Sequence, residues 1–160
     1  MIRILFVCHG NICRSPMAEF VMEDLVKKAG LADEFEIASA ATSSEEIGNP
    51  VHPGTARILK REGISCAGKR ARWLRQDEYE AWDLIVGMDE ANMGSMARLF
   101  KGDPEHKLHK LLEFTDQQTR KGRIPDVADP WYTGDFETTY RDVLSGCKGL
   151  IRTLQRDARN

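Results

Sequence analysis

Nine consecutive residues near the N-terminus, Cys8-His9-Gly10-Asn11-Ile12-Cys13-Arg14-Ser15-Pro16, combine a nucleophile, a permanent cation and residues suited to a tight turn. They follow the apolar run Ile2 to Cys8 and precede a helical repeat. In a turn from a strand end into a helix N-terminus, successive backbone N–H groups can point inward and cradle an anion. Gly10 and Asn11 suit the left-handed conformations such a turn needs. Arg14 adds a planar fork for two phosphate oxygens. Cys8 sits at the base of the same field, where a helix dipole and an arginine favour a thiolate, and Ser15 can donate its hydroxyl to the sulfur. A thiolate beneath a bound phosphate is aligned for in-line attack on phosphorus. Arg14 and the amides would then stabilise charge on the equatorial oxygens. The competing reading is a small core cysteine at a strand end and a solvated arginine in a turn.

The group expelled by such an attack leaves more easily when protonated, so the chemistry also needs an acid. The chain has 25 Asp and Glu residues, too many for spacing to choose among. Asp126 and Asp129 stand out because they lie in a Gly-, Pro- and Asp-rich stretch, Thr119 to Gly134. Pro130 stiffens that stretch, and Trp131 and Tyr132 could wall a cleft. An aspartate before proline is also an ordinary turn residue.

The elements that must hold these groups alternate between strand and helix. Ile2–Cys8 reads as a strand buried on both faces. Ser15 is a candidate cap with Pro16 in the first helical position. Met17, Phe20, Val21 and Leu25 then repeat at helical spacing up to Gly30. Phe35–Ala40 is a second strand, Pro53–Glu62 a helix and Asp83–Gly87 a third strand. Asp89 caps the next helix, and Lys107–Leu112 is a weaker fourth strand. The last helix places Phe136, Tyr140, Val143, Leu144, Cys147, Ile151 and Leu154 on one face. This alternation predicts an α/β fold with a central four-stranded parallel sheet flanked by helices. Ligands of such sheets bind beyond the C-terminal strand ends, where the Cys8 loop begins.

At 160 residues, with 41% hydrophobic and 30% charged residues, the chain reads as one compact domain spanning residues 1–160. Its net charge of -2 gives no global attraction to nucleic acid or anionic membrane, so neither is expected as a partner. No apolar run approaches the ~20 residues of a membrane span, and the N-terminal run lacks a signal-peptide cleavage site. Cys8, Cys13, Cys66 and Cys147 form no CxxC pair and no zinc-type spacing. They are expected to be reduced thiols in a cytoplasm, with no metal or cofactor.

The segment Val7 to Pro16 resembles the phosphate loop of the low-molecular-weight protein tyrosine phosphatases, down to its position near the N-terminus. The resemblance continues in Ser39-Ala40-Ala41-Thr42, in Gly68 to Arg72, in Asp83 to Asp89 with Asn92, and in Asp129-Pro130-Trp131-Tyr132. It covers essentially the whole chain. It implies a metal-free phosphomonoester hydrolase acting on phosphotyrosine in proteins or peptides, with inorganic phosphate as product. It further implies Cys8 as nucleophile and Arg14 as phosphate ligand, with the loop His9, Gly10, Asn11, Ile12 and Cys13 around the anion. Asp129, and not Asp126, matches the general acid. Asn11, Ser15 and Ser39 match residues that brace the loop.

Two departures from the family pattern stand out. Lys69 occupies a position where many relatives carry a histidine beneath the loop, and lysine cannot accept a hydrogen bond. Glu45 stands where many relatives place a tryptophan in the cleft wall with Trp131 and Tyr132. Lys69, Arg70, Arg72 and Arg75 read as a solvated basic face, and Trp73, Tyr79 and Trp82 as packing. Similar chains include arginine phosphatases, which carry threonine where this loop has Ile12. They also include thiol-dependent arsenate reductases, which need two further cysteines that this chain lacks between Trp73 and Phe100. A silent phosphate-binding module would need neither Cys8 nor Asp129. Cys13 and Cys8 share one tight loop, so a reversible disulfide between them is open, as is simple packing.

Overall fold

The computed structural model describes residues 1–117 and 121–159. Four parallel strands form one sheet in the order β2-β1-β3-β4, namely β1 (Ile2–Cys8), β2 (Phe35–Ala41), β3 (Leu84–Gly87) and β4 (Leu108–Lys110). The helices are α1 (Arg14–Lys28), α2 (Pro53–Arg61), α3 (Glu90–Phe100), α4 (Pro130–Thr133) and α5 (Phe136–Arg159). Strand alternation sends successive β1 side chains to opposite faces. Ile4, Phe6 and Cys8 join Met17, Val21, Leu59, Val143, Cys147 and Leu150 in the larger core cluster, against α1, α2 and α5. Leu5 and Val7 join Ile85, Leu74, Trp82 and Met96 in the smaller one, against α3. The expected three-layer α/β architecture is therefore present, and Cys8 ends its most buried strand.

Three boundaries differ from the sequence expectation for identifiable reasons. Helix α1 begins at Arg14, so Ser15 lies inside its first turn and is not its cap; no side chain caps this end. The Ser15 hydroxyl is engaged by the Cys8 sulfur instead. The fourth strand is shorter than Lys107–Leu112, because the chain turns tightly over Leu111–Phe114 after Lys110. That turn buries both Leu111 and Leu112 beneath α5, which approaches so closely that a Cβ at Gly149 would lie 2.0 Å from the Phe114 carbonyl oxygen. The stretch expected as a loop from Thr119 to Gly134 contains the short helix α4, and Thr119 lies outside the described residues.

Sheet order sets the site. Between β1 and β3 the chain connections diverge, β1 running on toward β2 and β3 toward β4, which opens a crevice beyond their C-terminal ends. Val7 pairs with Gly87 across that boundary, so Cys8 and Met88 leave the sheet side by side. Gly87 allows α3 to cross close by, since a Cβ there would meet Met96 Cε at 2.9 Å.

Candidate active site

Cys8 is buried at the end of β1, with Sγ 3.0 Å from Ser15 Oγ. The Ser15 backbone N–H also donates to the sulfur, at 3.4 Å. The hydroxyl and the backbone N–H of Ser15, in the first turn of α1, thus both meet one sulfur, on the axis where the helix dipole favours negative charge. Asn11 holds the turn between them in the left-handed region, at φ 59°. Its amide donates to Ser15 Oγ at 2.8 Å and to Ser39 Oγ at 2.9 Å, and its carbonyl oxygen accepts from Arg72 N at 3.2 Å. The loop is therefore tied to its own helix, to β2 and to the 68–72 segment by one side chain.

Beneath it, Ser39 Oγ donates to Glu19 Oε1 at 2.6 Å, and Lys69 Nζ lies 3.1 Å from the same carboxylate oxygen. Lys69 also donates to the Ser39 carbonyl at 3.1 Å. Replacing histidine by lysine leaves the brace standing, contrary to the doubt raised by the sequence. Glu19 supplies the acceptor that lysine cannot be.

Arg14 projects along the crevice floor. Its Nη1 donates to Asp89 Oδ2 at 2.7 Å, and its Nη2 lies 3.3 Å from Asp129 Oδ2. Burial works against the guanidinium charge, but Cys8, Asp89 and Asp129 outweigh it, so Arg14 holds its proton more tightly than a free arginine. Cys13 fares oppositely. Burial first, then the charge of Cys8, pushes its thiol up to about 12, which keeps it protonated beside Cys8.

The segment before α4 is clamped from several sides. Val127 N donates to Met88 O at 2.8 Å, and Ala128 N to Asp142 Oδ2 at 3.1 Å. Asp126 Oδ1 accepts from Lys110 Nζ at 2.8 Å and from Glu90 N at 3.1 Å. Asp129 Oδ1 accepts from Trp131 N at 3.0 Å, capping α4. Of the two candidate acids, only Asp129 lines the cleft; Asp126 is spent on the clamp.

The cleft above the sulfur has a volume of about 390 Å³. His9, Gly10, Ile12, Cys13 and Arg14 form its floor with Cys8, and Glu45, Glu46, Trp131 and Tyr132 rise around it. His9 Nε2 meets Glu45 Oε2 at 3.0 Å on the rim. Trp131 is 62% exposed and Tyr132 85% exposed, so both rings offer free surface to a bound group. Among the described residues, no three His, Cys, Asp or Glu side chains are grouped to hold a metal ion. Nor is any helix among them long and apolar enough to cross a membrane.

The sequence model of the low molecular weight phosphotyrosine protein phosphatase family matches residues 3–160. The chain belongs to that family. It is 40% identical over 157 residues to the low molecular weight protein-tyrosine-phosphatase YfkJ of Bacillus subtilis (strain 168), covering 98% of each chain. It is 37% identical over 158 residues to the low molecular weight protein-tyrosine-phosphatase PtpA of Staphylococcus aureus (strain Newman), covering 99% of this chain and 97% of that one. The crystal structure of YfkJ superposes with a TM-score of 0.91 at 39% identity, over 98% of this chain and 96% of that one. A protein tyrosine phosphatase from Entamoeba histolytica superposes at 0.85 with 27% identity, over 99% of both chains. The protein is a phosphatase of the low molecular weight class.

In this phosphatase, three site residues had no clear signal in the sequence. Asp89 reads as a helix cap, and it is one: Oδ1 accepts from Asn92 N at 2.8 Å. Its other oxygen orients Arg14, a role visible only once β3 and α1 are adjacent. Glu19 is about one helical turn beyond the loop in a run of helical residues, and nothing local marks it as the brace acceptor. Lys110 is buried under the segment that carries Asp126 and Asp129. The basic run also divides: Lys69 is paired beneath the loop and Arg72 Nη1 meets the buried Glu78 at 2.8 Å, so neither belongs to a freely solvated face. Trp82 and Tyr79 pack as expected, whereas Trp73 is 53% exposed.

Proposed function

We propose that this phosphatase hydrolyses phosphotyrosine in proteins or peptides through a phosphocysteine on Cys8, with residues 1–160 acting as one catalytic domain. The Cys8 thiolate attacks phosphorus while the P–O bond to the tyrosine ring breaks, and Asp129 gives its proton to the leaving phenolate oxygen. Water then attacks the phosphocysteine, Asp129 takes a proton from it, the P–S bond breaks and inorganic phosphate leaves with the thiolate restored. Arg14 Nη1 stays on Asp89, and the bound phosphate competes with Asp129 for Nη2. That exchange releases the Asp129 carboxyl toward the leaving oxygen. The loop residues His9 to Cys13 surround the phosphate, and Trp131 and Tyr132 flank the ring.

The observation that carries this reading is the convergence of Ser15 Oγ and Ser15 N–H on the Cys8 sulfur, at 3.0 and 3.4 Å. Such donors stabilise a sulfur anion as nucleophile and as leaving group. Ile12 on the cleft floor favours phosphotyrosine over phosphoarginine, since the arginine phosphatases it resembles carry threonine there. The test is the initial rate on a phosphotyrosine peptide in excess chelator, for the parent and for Cys8→Ser. Activity that vanishes in the variant supports the mechanism. Activity surviving in the variant removes Cys8 from its role, and hydrolysis of phosphoarginine alone replaces the substrate.

A further inference from the structure

A second hollow of about 340 Å³ opens beside the catalytic cleft, lined by Trp73, Leu74, Arg75 and Leu99 together with Thr42 and Ser95. Thr42 and Ser95 also line the catalytic cleft, so the two share a wall. Trp73 forms an isolated bridge with Ala41, the last residue of β2, and its ring N–H donates to the Thr42 carbonyl at 3.3 Å. The ring is therefore held at a set angle with its polar atom satisfied. It remains 53% exposed, while its neighbour Leu74 is buried. An immobilised indole with an open face is a contact surface, because its apolar area is available at little cost in side-chain entropy. Charge distinguishes the two ends of the combined groove. Glu45 and Glu46 make the far lip acidic. At the Trp73 end Arg75 is mostly exposed and pairs with the still more exposed Asp77. With the phosphate held over Cys8, a substrate chain that carries further acidic residues is repelled by the acidic lip and leaves the cleft past Trp73.

We propose that the hollow between Trp73 and Leu99 is a subsite for an apolar side chain of the substrate, close in sequence to its phosphotyrosine. The proposal rests on the phosphotyrosine reading above. With the phosphate over Cys8, an extended peptide passes across Thr42 and Ser95. It lowers a leucine-, methionine- or phenylalanine-sized side chain against the indole face, as alternate side chains of an extended peptide reach successive pockets.

A double-mutant cycle between enzyme and peptide tests this. Phosphotyrosine peptides with a single leucine walked along an alanine background, up to about three residues on either side, cover the reach of the shared wall. The readout is the kcat/KM ratio of each leucine peptide to the all-alanine peptide, with free phosphotyrosine run in parallel. At one position the parent is expected to prefer leucine by about fivefold to tenfold, mainly through KM. In Trp73→Ala, and independently in Leu99→Asp, that ratio falls to about one. A preference that persists in both variants, or no preference at any position, overturns the subsite. If the parent hydrolyses neither free phosphotyrosine nor any peptide, the substrate reading fails and the subsite falls with it.

Discussion

Glu23 lies one helical turn beyond Glu19 on α1, where the two carboxylates face the same side. Burial and the charge of Glu19 raise Glu23 from 4.5 to about 7, against the opposing pull of Lys69. Because its folded value lies above the unfolded one, the folded chain keeps a proton that the unfolded chain has already lost in this window. Its contribution to stability is therefore full below 4.5 and is lost as pH rises through about 7. The unscreened ceiling is ~3.4 kcal/mol at ~1.36 kcal/mol per pKa unit. Glu23 is only half-buried, so solvent screening reduces this to roughly 1–1.5 kcal/mol. Glu23→Gln keeps the shape and removes the titration. Urea unfolding of parent and variant at about pH 5 and about pH 8 measures the difference between them. The variant is expected to gain roughly 1–1.5 kcal/mol on the parent between those conditions, equivalent to a few degrees in Tm. A parent–variant difference that is the same at both pH values would refute the argument, because only the Glu23 proton distinguishes them.

Three other perturbations follow from the geometry. Gly149→Ala is expected to destabilise by at least ~2 kcal/mol, since its Cβ would lie 2.0 Å from a backbone oxygen; thermal melts against Gly94→Ala, where only the flexible Arg98 side chain is near, provide the control. Lys110→Met should lower stability by roughly 1–3 kcal/mol by removing the donor to Asp126, Glu90 and the Ile124 carbonyl. It should also lower kcat as the clamp on the Asp129 segment loosens, and unchanged kcat would detach the clamp from catalysis. Asp129→Asn should reduce kcat on phosphotyrosine by roughly 10²–10⁴, and by much less on p-nitrophenyl phosphate, whose leaving group needs no proton; equal losses on both would point away from an acid role.

Much of the architecture was legible because it rests on local patterns. The run Ile2–Cys8 has the apolar continuity of a strand covered on both faces, and α5 carries its apolar stripe at helical spacing. Neither depends on distant partners. The loop was legible for the same reason: cysteine, turn residues and arginine are contiguous, so strand-to-helix geometry alone brings Cys8, Ser15 and Arg14 together. Strand β4 was legible only in outline, because its end is set by how closely the glycines of α5 let that helix approach Leu111 and Phe114.

What the sequence by itself determined is thus the composition of one contiguous loop and the alternation of elements that carries it, since both follow from neighbouring residues. Only the tertiary structure decided the partners. Asp89 reaches Arg14 across 75 residues, and Asp129 reaches it across 115. Lys69 and Glu19 meet under the loop only because the 68–72 segment folds back along β2. Asp126 and Asp129 stand three residues apart and resemblance alone singled out Asp129; the structure adds that Lys110 holds Asp126 while Asp129 lines the cleft. Contacts of that kind depend on sheet order and helix packing, which bring together side chains whose own neighbours in sequence carry no trace of the pairing.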